Sequence, residues 1–408
     1  MSDATGATSF RPSAGDFLEN PYPTYARLRR ETPIFYHEPW RKWILTRHAD
    51  IDALLRDRRL GRVIHHLLAP EELPSQDPEH GPFRAIQEGS LLEIEPPDHT
   101  RIRSVVHSAF TPRHVRALQA RIEALCETLA DRLAVVPERR ADLIQVFAEP
   151  LPVTVIAELL GIPEPDRHRL LPWSKAIIGM FEPERTAADE REAVRAAGEF
   201  SDYLRWLVPR KRLEPADDLV TRMVEVHDQD PDRLSESEIV ANCILFLDAG
   251  HEAVVNVIGN GMKALLSHPA ELDRLREDRE LVATAVEEMM RFDTPLQFFE
   301  RFALEDMEYQ SHQWPKGTKL CLYYASANHD ERVFESPERF DVGRDPNPHL
   351  AFGMGLHYCI GAPLARLELS VALRTLLRRF PDLRLAQQEF RYLPKNVFRY
   401  LTELRVEY

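Results

Sequence analysis

The stretch from Ser235 to His268 constrains the fold more than any other. It holds no proline, and Pro269 stops it. Ser235 and Glu238 form an S-x-x-E capping box, in which each end of the pair satisfies an unpaired backbone donor of the first helical turn. A helix over this stretch would run about 50 Å, enough to cross a whole domain. From Ile239 to Leu247 it is apolar nearly all round, so it is expected to be buried. A chain that buries such a rod must build many helices around it. Downstream of Asp98 the pattern is helical, with Pro112, Pro150, Pro163 and Pro215 marking boundaries.

The remainder is more varied. Met1 to Asp16 reads as a polar, mobile tail. Tyr25 to Glu31 reads as a short helix, Trp43 to Thr46 as a strand and Ala49 to Arg56 as a helix. Leu60 to Leu92 carries four prolines and weak periodicity. It is expected to be an irregular loop of the length that serves as a lid or binding loop. Lys319 to Tyr324 reads as a strand, and one more helix follows Cys359. The fold class expected is mainly α, a single large helical domain over residues 1–408 with a small β part.

A net charge of -14 over 408 residues argues against general nucleic-acid binding, which needs a basic footprint. Cys126, Cys243, Cys321 and Cys359 lie far apart and form no CxxC pair. That is neither a disulfide framework nor a zinc ribbon, and it fits a reducing compartment. With no apolar signal region and no membrane-spanning run, the chain reads as cytoplasmic. A lipophilic substrate would reach it through water, with no membrane partner.

The chemistry concentrates in Phe352-Gly-Met-Gly-Leu-His-Tyr-Cys359-Ile-Gly361, followed by a helical run. A thiolate that ligates iron needs a lowered pKa, and a helix N-terminus supplies positive partial charge and free N–H donors. Gly353 and Gly355 permit turns closed to other residues. Gly361 lets the helix approach a flat macrocycle, and Phe352 would pack beside the sulfur. His357 and Cys359 have no second ligand pair at zinc-site spacing.

This loop resembles the haem-binding signature of the cytochrome P450 family, and other landmarks of that family follow its order along nearly the whole chain. The resemblance implies the P450 fold, heme b as cofactor and Cys359 as the axial iron ligand. Glu288-Met-Met-Arg291 is similar to the ExxR motif, whose pair takes a downstream arginine as third partner. Arg339 is the first choice for that partner and Arg344 the second. His99 and Arg103, four apart on one helix face, match residues that grip a haem propionate, and Arg301 and His357 match two further propionate contacts. Arginine suits the task through bidentate pairing with carboxylates.

Leu247-Asp-Ala-Gly-His-Glu-Ala253 resembles the family's distal segment, A-G-x-D/E-T. The resemblance gives Ala249 and Gly250 the role of leaving room for dioxygen, and Glu252 that of relaying protons. Ala253 departs from the pattern. It stands where most members carry threonine, and alanine cannot donate a hydrogen bond. The favoured reading is that the substrate's hydroxyl, or a water it fixes, completes the relay. A reaction less dependent on that relay, the use of peroxide, or tolerated uncoupling stay open.

Asp248 shares the face of Glu252, and a buried carboxylate is costly unless paired. It reads as an anchor for a substrate amine or hydroxyl, as an added proton donor, or as one end of a salt bridge to an Arg or His between Arg167 and Arg191.

By the same resemblance, the segments 60–92, 173–181, 199–207, 245–249 and 294–299 line the substrate site. Phe181, Leu296, Phe298 and Phe299 suit a bulky apolar ligand, although such residues are equally ordinary core. No flavin or iron–sulfur motif occurs in the chain, so electrons are expected from a ferredoxin and its NAD(P)H-dependent reductase. Arg101, Arg113, Arg116, Arg121 and Arg366 are the basic residues expected at the docking face. The function expected is insertion of one oxygen atom from O2 into a lipophilic small molecule. Oxidative coupling, dehydrogenation, a peroxide-driven reaction and a non-catalytic haem-thiolate ligand-binding protein are the alternatives.

Overall fold

Ser235 starts the long helix as its capping box requires. In the computed structural model the Glu238 carboxylate accepts the Ser235 N–H at 2.8 Å, and Ser235 Oγ accepts the Glu238 N–H at 3.3 Å. The helix then runs from Glu236 to Leu266. The structure describes residues 10–68 and 78–408, so residues 1–9 of the expected tail and 69–77 of the expected loop lie outside the described residues. The chain groups into two compact units. One comprises residues 1–61, 119–151 and 253–408, the other residues 62–118 and 152–252.

The first unit holds every strand found among the described residues. Its five-stranded sheet has the order Ile34–His37, Lys42–Leu45, Lys319–Leu322, Phe299–Ala303, Leu60–Gly61. Only the pairing of Lys42–Leu45 with Lys319–Leu322 is parallel. Successive side chains of a strand point to opposite faces, and here both faces are apolar. Leu45, Leu320 and Leu322 join Trp314 on one side, while Ile44 and Cys321 join Tyr25, Phe298 and Tyr323 on the other. Phe10 belongs to this second cluster and is 3% exposed, edge-on to Phe17, Phe35 and Tyr323. The expected mobile tail is therefore too long: Phe10 is core, and Gly15–Glu19 is helical. Phe298 stacks on Tyr323 at 4.8 Å, which makes it a core residue as well.

The second unit has no strand among its described residues. Its helices include Gly81–Glu88, Asp98–Val106, Leu170–Gly179, Ala187–Leu213 and Leu219–Gln229. The segment expected as an irregular loop over 60–92 has structure of its own, namely a short 3-10 turn at His65–Leu67 and the helix Gly81–Glu88. Its C-terminal end is stitched to the long helix by Asn242, the polar residue in the apolar run. Asn242 accepts the Leu91 N–H at 3.0 Å and donates to the Gly89 carbonyl at 2.9 Å. The neck of the segment is closed by Arg62, which pairs with Glu93 through its side chain and with Glu95 through its backbone N–H.

Candidate active site

Cys359 lies between a 3-10 turn, Gly355–His357, and the helix Ala362–Arg379, which carries Pro363 in its first turn. Proline fits there because the N–H it lacks would have no helical partner. The Cys359 N–H donates to the Phe352 carbonyl at 3.1 Å, closing the loop on itself. Gly353 and Gly355 both take left-handed backbone, with φ of 63° and 72°. At Gly355 a Cβ would sit 2.2 Å from the Leu55 carbonyl oxygen. Gly355→Ala therefore combines left-handed strain with a backbone clash. It is expected to cost about 2 kcal/mol or more, read as a lower urea midpoint with an unchanged slope.

Cys359 differs from the other three cysteines. Cys126, Cys243 and Cys321 are buried, and burial pushes their thiols up, that of Cys126 to about 12. Cys359 is partly exposed and forms no disulfide. Beside it, Phe352 carries the Arg366 guanidinium 4.5 Å from its ring centroid. Arg366 is held in turn by both oxygens of Glu287, at 2.7 and 2.8 Å. Burial raises the Glu287 pKa, but hydrogen bonds from Arg366 and His349 outweigh it and hold the carboxyl at about 2. Arg366 thus props the cysteine loop while its side chain stays 37% exposed.

The ExxR pair is buried, with Arg291 and Glu288 joined at 2.7 and 2.8 Å and both side chains at 0% exposure. The third partner is Arg344, whose Nε lies 3.1 Å from Glu288 Oε2. The first choice, Arg339, is corrected. Its guanidinium is exposed near Glu271, and only its carbonyl enters the cluster, accepting from Arg291 at 3.2 Å. Asn347 and the Asp341 N–H complete the shell around Glu288. The Pro-Glu-Arg-Phe turn presents backbone to the cluster, and the chain reaches it with a side chain only after Gly343.

The four expected propionate contacts fall in two groups. His99, buried, and Arg103, half-buried, lie one turn apart on Asp98–Val106 in the second unit. Arg301 and His357 lie in the first. Arg301 is buried in its strand, donating to the Glu300 carbonyl at 2.8 Å, and His357 is half-buried in its turn. Arg101 pairs with Asp98 at 2.8 Å and with Glu238 at 2.6 Å.

On the long helix, Ala249 is exposed and Gly250 and Ala253 are half-buried, in the middle of a largely buried stretch. That leaves an open window of small residues. Gly250 serves it indirectly: a Cβ there would lie 2.6 Å from Ile156 Cδ1, so glycine admits Ile156 rather than only leaving room for dioxygen. Glu252 is buried, with its Oε2 2.9 Å from His251 Nε2. Burial opposes a charged imidazole, yet Glu252 outweighs it and raises the His251 pKa.

Asp248, next to the window, is buried, and no Lys or Arg pairs with it among the described residues. The expected salt bridge to the 167–191 region is therefore absent there. Arg167 pairs with Glu158, Arg169 lies over Trp173, and Arg185 pairs with Glu190. Sequence reasoning missed Ser174, the residue of that region that does act on Asp248; nothing local to Ser174 marks it.

These residues fit a haem. Among the described residues no group of three or more His, Cys, Asp or Glu could hold a metal ion. Cys359, just ahead of a helix N-terminus, would ligate the haem iron through its sulfur.

A cysteine on a glycine-turned loop ahead of a helix, a buried Glu–Arg–Arg cluster and a window of small residues in a long helix are the parts that a haem-thiolate oxygenase needs. The chain belongs to the cytochrome P450 family, whose profile, described as Cytochrome P450, matches residues 63–391. It is a heme b-dependent P450 monooxygenase. It is 38% identical over 388 residues to the polyketide biosynthesis cytochrome P450 PksS of Bacillus subtilis, covering 92% of each chain. It is 40% identical over 392 residues to the vitamin D(3) 25-hydroxylase of Pseudonocardia autotrophica, covering 94% of this chain and 92% of that one. The crystal structure of P450BioI with an acyl carrier protein ligated to hexadec-9Z-enoic acid superposes with a TM-score of 0.90 at 34% identity. That match covers 97% of this chain and 100% of that one. No helix of the described residues is long and apolar enough to cross a membrane.

Proposed function

We propose that this P450 inserts one oxygen atom from O2 into a bulky lipophilic small molecule, with electrons from a ferredoxin and its NAD(P)H-dependent reductase. The observation that carries this reading is the window at Ala249, Gly250 and Ala253, with the Glu252 carboxylate paired to His251 beside it. The names of the relatives support a lipophile, since one belongs to polyketide biosynthesis and another hydroxylates vitamin D(3). Bound haem supplies the iron at which O2 is activated. Glu252 Oε2 lies 2.9 Å from His251 Nε2 in a buried place, so the pair can take up or release a proton there. Ala253 offers no hydroxyl to pass that proton on, so a substrate hydroxyl or a water it orients completes the path. Arg113 and Arg116, exposed on Pro112–Ala117, offer positive charge to an acidic ferredoxin, which would mostly raise the encounter rate.

Turnover under labelled dioxygen tests the reaction. One labelled oxygen per product is expected. Product without label would replace this reading with coupling, dehydrogenation or a peroxide-driven reaction. In the same assay Ala253→Thr is expected to change the ratio of product formed to NADPH consumed, most for substrates lacking a hydroxyl near the reacting carbon. An unchanged ratio for every substrate would remove substrate-assisted proton delivery.

A further inference from the structure

Asp248 lies one residue before the exposed Ala249 and four before Glu252. Its side chain is 8% exposed, and its Oδ1 is enclosed without a hydrogen-bond partner among the described residues. From the helix Leu170–Gly179, Ser174, itself at 0% exposure, offers its hydroxyl to the Asp248 carboxylate. Two enclosed polar groups from two helices of the same unit therefore converge, and Oδ1 of Asp248 is left without a partner. The charged groups acting on Asp248 are His251, which attracts its negative form, and Glu252, which repels it. Those two pair with each other at 2.9 Å, so together they leave Asp248 uncompensated.

Enclosed polar atoms without partners are rare, and in a native protein they call for a ligand or a functional reason. A neutral ligand oxygen would need no more than the Ser174 hydroxyl. A carboxylate adds something that a hydroxyl cannot, which is a counter-charge for a cation in a medium of low dielectric. We propose that Asp248, with Ser174 beside it, is the binding subsite for the protonated tertiary amine of a lipophilic substrate. This rests on the reading of the site as one for lipophiles and names the substrate class within it.

Burial, opposed by Ser174 and His251, pushes the Asp248 carboxyl up to about 8. At neutral pH the unliganded group mostly carries a proton, and an ammonium entering the subsite displaces it. Amine affinity should therefore rise by about tenfold per pH unit below 8 and level off above it, because the anion is the binding form and its fraction grows in that direction.

The test uses the ferric holoenzyme and two probes of one shape, N-methyl-4-phenylpiperidine and its carbon isostere 1-methyl-4-phenylcyclohexane. A tertiary nitrogen is a poor iron ligand, so binding reports the pocket. Affinities are measured by equilibrium dialysis, with the Soret band recorded alongside. The amine is expected to bind about tenfold or more tightly than the isostere at pH 8. Asp248→Asn should erase that preference and the pH dependence while leaving the isostere within about threefold, which shows that the variant is folded. Equal binding of the two probes by the wild type, or a preference that survives in Asp248→Asn, overturns the amine subsite and leaves the lipophile reading in place. Binding of neither probe overturns both.

Discussion

Arg291→Leu is expected to destabilise the protein by about 3–5 kcal/mol, because it leaves the Glu288 charge buried with part of its compensation gone. Arg291 donates to Glu288 twice and to the carbonyls of Asn328, Pro337 and Arg339. One guanidinium thus satisfies three carbonyls, two of them in the Pro-Glu-Arg-Phe turn, of the segment leading to the cysteine loop. Lysine has one ammonium and cannot reproduce that fork, so Arg291→Lys should recover little. Urea denaturation of the purified variants measures the effect. The control is informative: Arg344→Ala should share the loss in part, whereas Arg339→Ala, whose guanidinium is exposed, should stay within about 0.5 kcal/mol of wild type. Equal losses at 339 and 344 would contradict the assignment of the third partner.

Cys359→Ser is expected to abolish monooxygenation. A serine hydroxyl does not ionise near neutral pH and cannot donate electron density as a thiolate does. The absorption spectrum of the ferrous carbonyl complex reads this without turnover, since the thiolate-type band should be replaced by that of a weaker axial ligand. Far-UV circular dichroism should hardly change, because the Phe352 carbonyl is held by the backbone N–H of residue 359 rather than by the sulfur. Cys126→Ser and Cys321→Ser, both buried away from the loop, should keep the original band. If Cys359→Ser kept it too, the ligand assignment would fall.

What was legible in the sequence is what local geometry decides. The long helix announced itself through Ser235, Glu238 and Pro269, and the cysteine loop through glycines at positions that need left-handed backbone. What escaped depends on which distant groups meet. Arg339 and Arg344 are equivalent on paper, and only the path of the chain after Pro337 decides which guanidinium faces Glu288. The partners of Arg101 and Arg366, Glu238 and Glu287, arrive from remote helices and leave no local sign. Phe10 sits in a polar stretch, so the composition of its neighbours concealed a core residue. The sequence shows that Gly250 is small but not that Ile156, nearly a hundred residues away, packs against it.

The parallel pairing in the five-stranded sheet has a consequence for how the chain is made. Lys42–Leu45 pairs with its hairpin partner Ile34–His37 at once, but its other edge waits for Lys319–Leu322. Roughly 270 residues separate the two strands, and at about 5–20 residues per second their synthesis takes on the order of 15–55 seconds. Throughout that time the ribosome carries an apolar hairpin whose Lys42–Leu45 edge, interior in the finished sheet, is unpaired. Such an edge is a template for unwanted pairing, so the emerging N-terminal segment is where a chaperone would be needed first.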